Sequence, residues 1–231
     1  VDHDLSVAGS VSFDDHIVGS GGILNTVSEL CDAVYWMRLS LRLLCLTGDA
    51  RYADAFEQTA WNAMACGLAP DAAWGLRRFR LSHEHIPATR HCHMTHWQCC
   101  VANLPRGYFQ LAASALALDE EGLRVIHYLP GEASCTLPGK TDLRLALETD
   151  YPDDGRVRMT LMPSAAVDFS LRLRVPGWCR SYAVAVNASP QDVAADQGWI
   201  VLKRCWQPGD AVELTLDMPA RLEHFDAARL G

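Results

Sequence analysis

From Leu123 onward the chain is written with a period of two. LRVIHYL, DLRLALETD, RVRMTLM, DFSLRLRV, AVAVN, GWIVLKRC and AVELTLDM are short alternating segments, and Pro, Gly and Asp turns separate them. Alternation sends successive side chains to opposite faces of a sheet. SLRLRV therefore sets Leu171, Leu173 and Val175 on one face and Arg172 and Arg174 on the other. Several such strands in close succession predict an antiparallel β-sandwich.

The first half carries a helical period instead. Val34, Met37, Leu41 and Leu44 recur at helical spacing, while Tyr35, Trp36, Leu39, Leu43 and Leu46 fill the other faces. A helix apolar nearly all round is expected to be buried nearly all round. Gly48 closes it, and Asp49 is placed to cap the next helix, from about Ala50 to Cys66. That helix has Tyr52, Phe56, Ala60 and Ala63 on one stripe, and Gly67 and Pro70 end it. A third helix is expected from about Arg106 to Leu118, through the small-residue run LAASALAL. These helices are too few to surround the first, so the helical half reads as the tail of a larger all-α domain. The fold class is thus α+β and multidomain, with helices in residues 1–119 and a sandwich in residues 120–231.

The 231 residues carry a net charge of −8, which argues against nucleic acid or an anionic membrane as partner. The longest apolar stretch, Val34 to Leu46, is interrupted by Arg38 and Arg42 and is too short for a bilayer span. Nine cysteines are scattered at 31, 45, 66, 92, 99, 100, 135, 179 and 205. They lack the dense regular spacing of a secreted disulfide scaffold, so a reducing, cytoplasmic compartment is expected. Cys45, Cys66, Cys135, Cys179 and Cys205 are read as packing residues.

Cys99 and Cys100 stand side by side in HWQCCVANLPRG. Neighbouring cysteines rarely close a disulfide on each other. Upstream, SELC supplies Glu29 and Cys31. Three thiols and a carboxylate make a full tetrahedral set for Zn²⁺, and soft thiolates favour zinc over magnesium or calcium. Reduced thiols filling a core are the alternative. Glu29 and Cys31 lie two apart, so both reach one ion only if Glu29 sits in the non-helical cap. Between these motifs, HEHIPATRHCHMTHWQ offers His83, His85, His91, His93, His96 and Cys92. Its HEH lacks the HExxH spacing of a helical zinc site. Polar lining of a ligand pocket, from His83, His85 and His96, is the functional reading; a solvated loop is the plain one.

The ordered run SELC, LLCLTGDARYADAFEQTAWNAMACGL and HWQCCVANLPRG resembles the β-L-arabinofuranosidases of glycoside hydrolase family 127. ETDYP, LRLRVPGWC, VAVNAS and KRCWQPGD in the second half resemble that family's sandwich. The resemblance implies an (α/α)6 barrel followed by β-sandwich domains, with residues 1–119 as the last barrel helices. It implies Zn²⁺ on Glu29, Cys31, Cys99 and Cys100, and Cys99 as the nucleophile of a retaining mechanism. A carbohydrate is the implied partner, and self-association through the sandwich is left open. One position departs from the family: Val11, in GSVSF, stands where the family's acid/base Glu would be. Asp14 and Asp15 in FDDH are the nearest carboxylates, and Glu84 is a more distant one. The rival reading is a non-catalytic carbohydrate-binding or structural zinc protein.

Overall fold

The structure, a computed structural model, describes residues 28–68, 78–79, 98–220 and 222. The chain divides into two compact units, one of residues 1–48, 52–111 and 221–231 and one of residues 49–51 and 112–220.

In the first unit, β1 (Ser28–Glu29) pairs antiparallel with β2 (Arg78–Phe79), Glu29 opposite Arg78. α1 (Leu30–Thr47) follows directly and ends at Gly48, whose φ of 70° is the left-handed conformation that glycine adopts without strain. The Gly48 N–H returns to the Leu44 carbonyl at 2.7 Å, closing the helix as the sequence predicts. Asp49 then accepts the Arg51 N–H at 3.0 Å, capping α2 (Ala50–Gln58). The predicted second helix is real, but Thr59–Met64 winds as a π-helix. Phe56, Ala60 and Ala63 of its expected stripe are buried.

All-round burial of α1 is not what the described residues show. Leu30, Ala33, Val34, Met37 and Leu44 are buried, but Tyr35, Leu39 and Leu46 are exposed, Leu46 at 81%. α3 (Gln98–Ala113) starts earlier and stops sooner than its expected range of Arg106 to Leu118. Pro105 lies within it and has no N–H for the Val101 carbonyl. At Gly107 a Cβ would run into Met64 Sδ and come within 3.1 Å of Val34 Cγ2. The missing side chain there lets α3 approach α1 and the π-helical turn closely.

The second unit is a pair of sheets. One holds β5 (Gly131–Thr136), β6 (Asp142–Thr149), β7 (Arg156–Pro163), β9 (Tyr182–Val186), β10 (Ser189–Gln191) and β12 (Asp210–Leu216). Its order is β10-β9-β12-β7-β6-β5, antiparallel throughout. The other holds β3 (Leu116–Asp119), β4 (Gly122–Val125), β8 (Val167–Arg174) and β11 (Trp199–Trp206), in the order β11-β8-β4-β3. Here the expectation of a wholly antiparallel sandwich is corrected, because β4 and β8 run parallel, Leu123 opposite Leu171. The end of LAASALAL is strand β3, not helix. Asp119 makes this turn: its Oδ1 accepts the Glu121 and Gly122 N–H groups, reversing the chain into β4.

The alternating residues of the two sheets share one core, with Met159, Leu161, Leu171, Leu173, Ile200 and Val212 fully enclosed. Trp206 is buried too, and its indole N–H donates to the Phe169 carbonyl at 3.1 Å. Arg174 departs from the predicted pattern. Its strand β8 lies inside the sheet between β11 and β4, and the guanidinium is buried instead of solvated. Its Nε donates to the Ile126 carbonyl at 2.7 Å, and the Arg174 backbone carbonyl accepts the Tyr128 hydroxyl. A buried cation is tolerated where such bonds replace water.

Candidate metal centre

Two helix starts meet at one cluster of thiols. Glu29 is the residue before α1 and has extended backbone, φ −109° and ψ 136°. That is the non-helical cap the two-residue spacing requires for Glu29 and Cys31 to face one point. Cys31 is the second residue of α1, and Cys99 and Cys100 lie in the first turn of α3. Helix N-termini carry partial positive charge, which favours thiolates there.

Cys31 Sγ lies 3.1 Å from Cys100 Sγ, and Cys99 Sγ lies 3.9 Å from Cys100 Sγ. All three sulfurs fall within 4.8 Å of one another. Glu29 Oε1 lies 3.6 Å from Cys100 Sγ, so the carboxylate stands at the same cluster. Glu29, Cys31 and Cys100 are buried, while Cys99 is exposed. A Zn–S bond of about 2.3 Å sets tetrahedral sulfur–sulfur edges of about 3.8 Å, so this donor set has the size and chemistry for zinc. One edge, Cys31 to Cys100 at 3.1 Å, is shorter.

Asn103, one turn along α3, faces the cluster: its Nδ2 donates to Cys31 Sγ at 3.2 Å. Arg106 Nη1 in turn donates to Asn103 Oδ1 at 3.1 Å. The Cys31 thiol is drawn down to about 6, chiefly because Cys100 donates to it, with Asn103 adding a second donor against the cost of burial. Cys100 moves up, because it is the partner that gives the proton and because it is buried. Cys99 moves up as well, through desolvation first and then through donation to Cys31. Of the three thiols Cys31 is thus the one whose anion its neighbours favour, and a dication entering the cluster would displace the protons that the thiols hold.

Reading the sequence for ligand types reaches Glu29, Cys31, Cys99 and Cys100, and the structure brings these four together. Asn103 and Arg106 stand unassigned within HWQCCVANLPRG, and their bonds to the cluster emerge only from the structure. The spacing of three from Cys100 and four from Cys99 puts Asn103 on their helix face, but its bond runs to Cys31 on another helix, which no spacing records. Asp14, Asp15, His83, Glu84, His85 and His96, with Val11, lie outside the described residues. The other described cysteines also carry free thiols. Cys45, Cys66 and Cys205 are exposed, which corrects their reading as core residues, whereas Cys135 and Cys179 pack against the sandwich core.

Two family models match the chain in sequence order. The β-L-arabinofuranosidase GH127 catalytic domain matches residues 6–113, and the GH127 middle domain matches residues 122–218. The chain belongs to glycoside hydrolase family 127. The GH127 assignment agrees with solved structures. A GH127 β-L-arabinofuranosidase from Geobacillus stearothermophilus T6 superposes with a TM-score of 0.86 at 24% identity, covering 98% of this chain and 38% of that one. A structure described as a glycoside hydrolase gives 0.87 at 28% identity, covering 97% and 42%. A GH127 β-arabinofuranosidase gives 0.80 at 24% identity, covering 94% and 37%. This GH127 chain thus spans less than half the length of the structures it matches. No curated protein sequence matches it significantly. None of the helices among the described residues is long and apolar enough to cross a membrane.

Proposed function

We propose that this chain carries the nucleophile half of a retaining glycoside hydrolase acting on a furanoside such as a β-L-arabinofuranoside. Residues 1–119 would supply the last helices of an (α/α)6 barrel, and residues 120–231 a β-sandwich. The observation that carries the proposal is the cluster of Cys31, Cys99 and Cys100 sulfurs within 4.8 Å, with the Glu29 carboxylate 3.6 Å from Cys100. Glu29, Cys31, Cys99 and Cys100 would hold Zn²⁺, whose charge keeps the cysteines ionised at neutral pH.

Cys99 suits the reacting role because it is the exposed thiol of the three. Its thiolate attacks the anomeric carbon, forming a C–S bond as the glycosidic C–O bond breaks. The departing alkoxide takes a proton from a carboxylic acid, for which Asp14 and Asp15 are proposed. The same carboxylate then deprotonates a water that attacks the anomeric carbon from the face the leaving group vacated. The C–S bond breaks, Cys99 regains its electron pair, and two inversions give net retention. His83, His85 and His96 are proposed to line the sugar site. The described cysteines are all free thiols, which supports a reducing compartment such as the cytoplasm; self-association through the sandwich belongs to the same proposal.

The acid is tested with aryl L-arabinofuranosides, then other aryl furanosides and pyranosides, on the intact protein. The correct variant, Asp14→Asn or Asp15→Asn, should lower turnover by about 10²- to 10⁴-fold on poor leaving groups. Activated leaving groups, which need little protonation, should suffer less. Full activity in both variants shows that the acid is elsewhere. Val11 favours the second reading, a non-catalytic zinc protein, and absence of turnover in the intact wild type would select it.

A further inference from the structure

We infer that Asn103, pinned by Arg106, is a positioning residue that fixes Cys31 as a standing ligand and leaves Cys99 as the thiol able to leave the cluster and react. The inference rests on the reading of the cluster as a metal centre and goes beyond it. It divides the roles of three cysteines that the donor set alone treats alike.

The geometry is directional. An arginine side chain has donors and no acceptor, so the Asn103 atom facing Arg106 Nη1 at 3.1 Å must be the carbonyl oxygen. That choice turns the amide nitrogen toward Cys31 Sγ, at 3.2 Å. Asn103 is buried, so water does not compete for this bond, whereas Arg106 is exposed and holds the amide from the solvent side. An N–H bond to a sulfur withdraws density from its lone pairs. It stabilises the anionic ligand, orients it, and makes it a poorer nucleophile. Among the described residues no side-chain nitrogen reaches Cys99 Sγ. Cys31 is therefore buried and held by a side-chain nitrogen donor, while Cys99 is exposed and, among the described residues, has no side-chain nitrogen on its sulfur. One pair of hydrogen bonds separates the ligand that stays from the one that reacts.

The test uses cobalt, whose sulfur-to-metal charge-transfer band reports on thiolate ligands. The reduced protein is stripped of metal anaerobically and loaded with Co²⁺, and Co²⁺ affinity is measured by competition with a chelator. Removing the N–H raises the sulfur lone-pair energy, so Asn103→Leu should move the band to longer wavelength. Its affinity should fall by about 10- to 100-fold, the usual effect of losing an outer hydrogen bond to a ligand. Arg106→Met should shift both in the same direction but less, because the amide stays and only its orientation is freed. The double variant should be no weaker than Asn103→Leu alone, since Arg106 acts through Asn103. A band and affinity unchanged from wild type in Asn103→Leu overturn the inference. Should Asn103→Leu fail to fold, Arg106→Met at its exposed position decides by the same two readings. A wild type with no charge-transfer band sinks the metal-centre reading itself. A wild-type band with unaltered variants sinks only the division of roles.

Discussion

Cys99→Ser is expected to reduce glycosidase turnover by on the order of 10⁴-fold or more while leaving the protein folded. The size of the loss follows from the role. Replacing a nucleophile removes the covalent route altogether, leaving only what binding and the remaining groups contribute. A serine hydroxyl does not ionise near neutral pH as a metal-held thiol does, so near-equal volume does not preserve reactivity. The fold should survive because Cys99 is exposed and Cys31 and Cys100 keep the buried positions. Turnover, circular dichroism and a thermal melt on the same preparation check this. Retained turnover would remove Cys99 from the mechanism.

The second large effect is expected from Cys31→Ser combined with Cys100→Ser. Wild-type protein purified anaerobically should hold about one zinc per chain in a four-ligand site. The double variant should hold almost none, since it loses both buried sulfurs and leaves only Glu29 and the exposed Cys99. Metal that binds only the folded state adds stability by mass action, about 4 kcal/mol when free zinc is about 1,000 times Kd. The variant should therefore melt well below wild type. A chelator should bring wild type down toward it and leave the variant unmoved. That control separates loss of metal from any intrinsic cost of two buried hydroxyls. Full zinc occupancy in the double variant, read by elemental analysis, would place the metal on other residues.

Much of the fold was legible because period and face are local properties of a sequence. DLRLALET and RVRMTLMP alternate, and Leu143, Leu145, Val157, Met159 and Leu161 are buried as that alternation requires. Gly48 and Asp49 were readable for the same reason, since a left-handed C-cap and an N-cap depend on single residues. What escaped depends on partners distant in sequence. The parallel pairing of β4 with β8 is set by strand order, which no period records. Arg174, patterned for solvent, is buried at the end of β8 with strands on both sides, and its guanidinium reaches the Ile126 carbonyl, a partner distant in sequence. Gly131–Thr136 and Ser189–Gln191 went unread as strands because both are edge strands whose side chains are mostly exposed. LAASALAL misled because alanine, leucine and serine suit helix and strand alike, and the Asp119 turn settled it.

At the candidate site, residue type was legible and connection was not. Glu29, Cys31, Cys99 and Cys100 could be gathered from their chemistry, and the cap condition on Glu29 from spacing alone. Asn103 could not, because an asparagine on a helix has many partners to choose from. Only the approach of α3 to α1 selects Cys31.

Covalent trapping tests the central claim most directly. An aryl-free L-arabinofuranose analogue bearing an electrophile at the anomeric position is incubated with the intact, zinc-loaded protein, which is then digested and sequenced by mass spectrometry. The predicted result is one label per chain, on Cys99, suppressed by excess unreactive sugar and absent from Cys99→Ser. A label on Cys31 or Cys100, or on a carboxylate with Cys99 untouched, would contradict a cysteine nucleophile at residue 99.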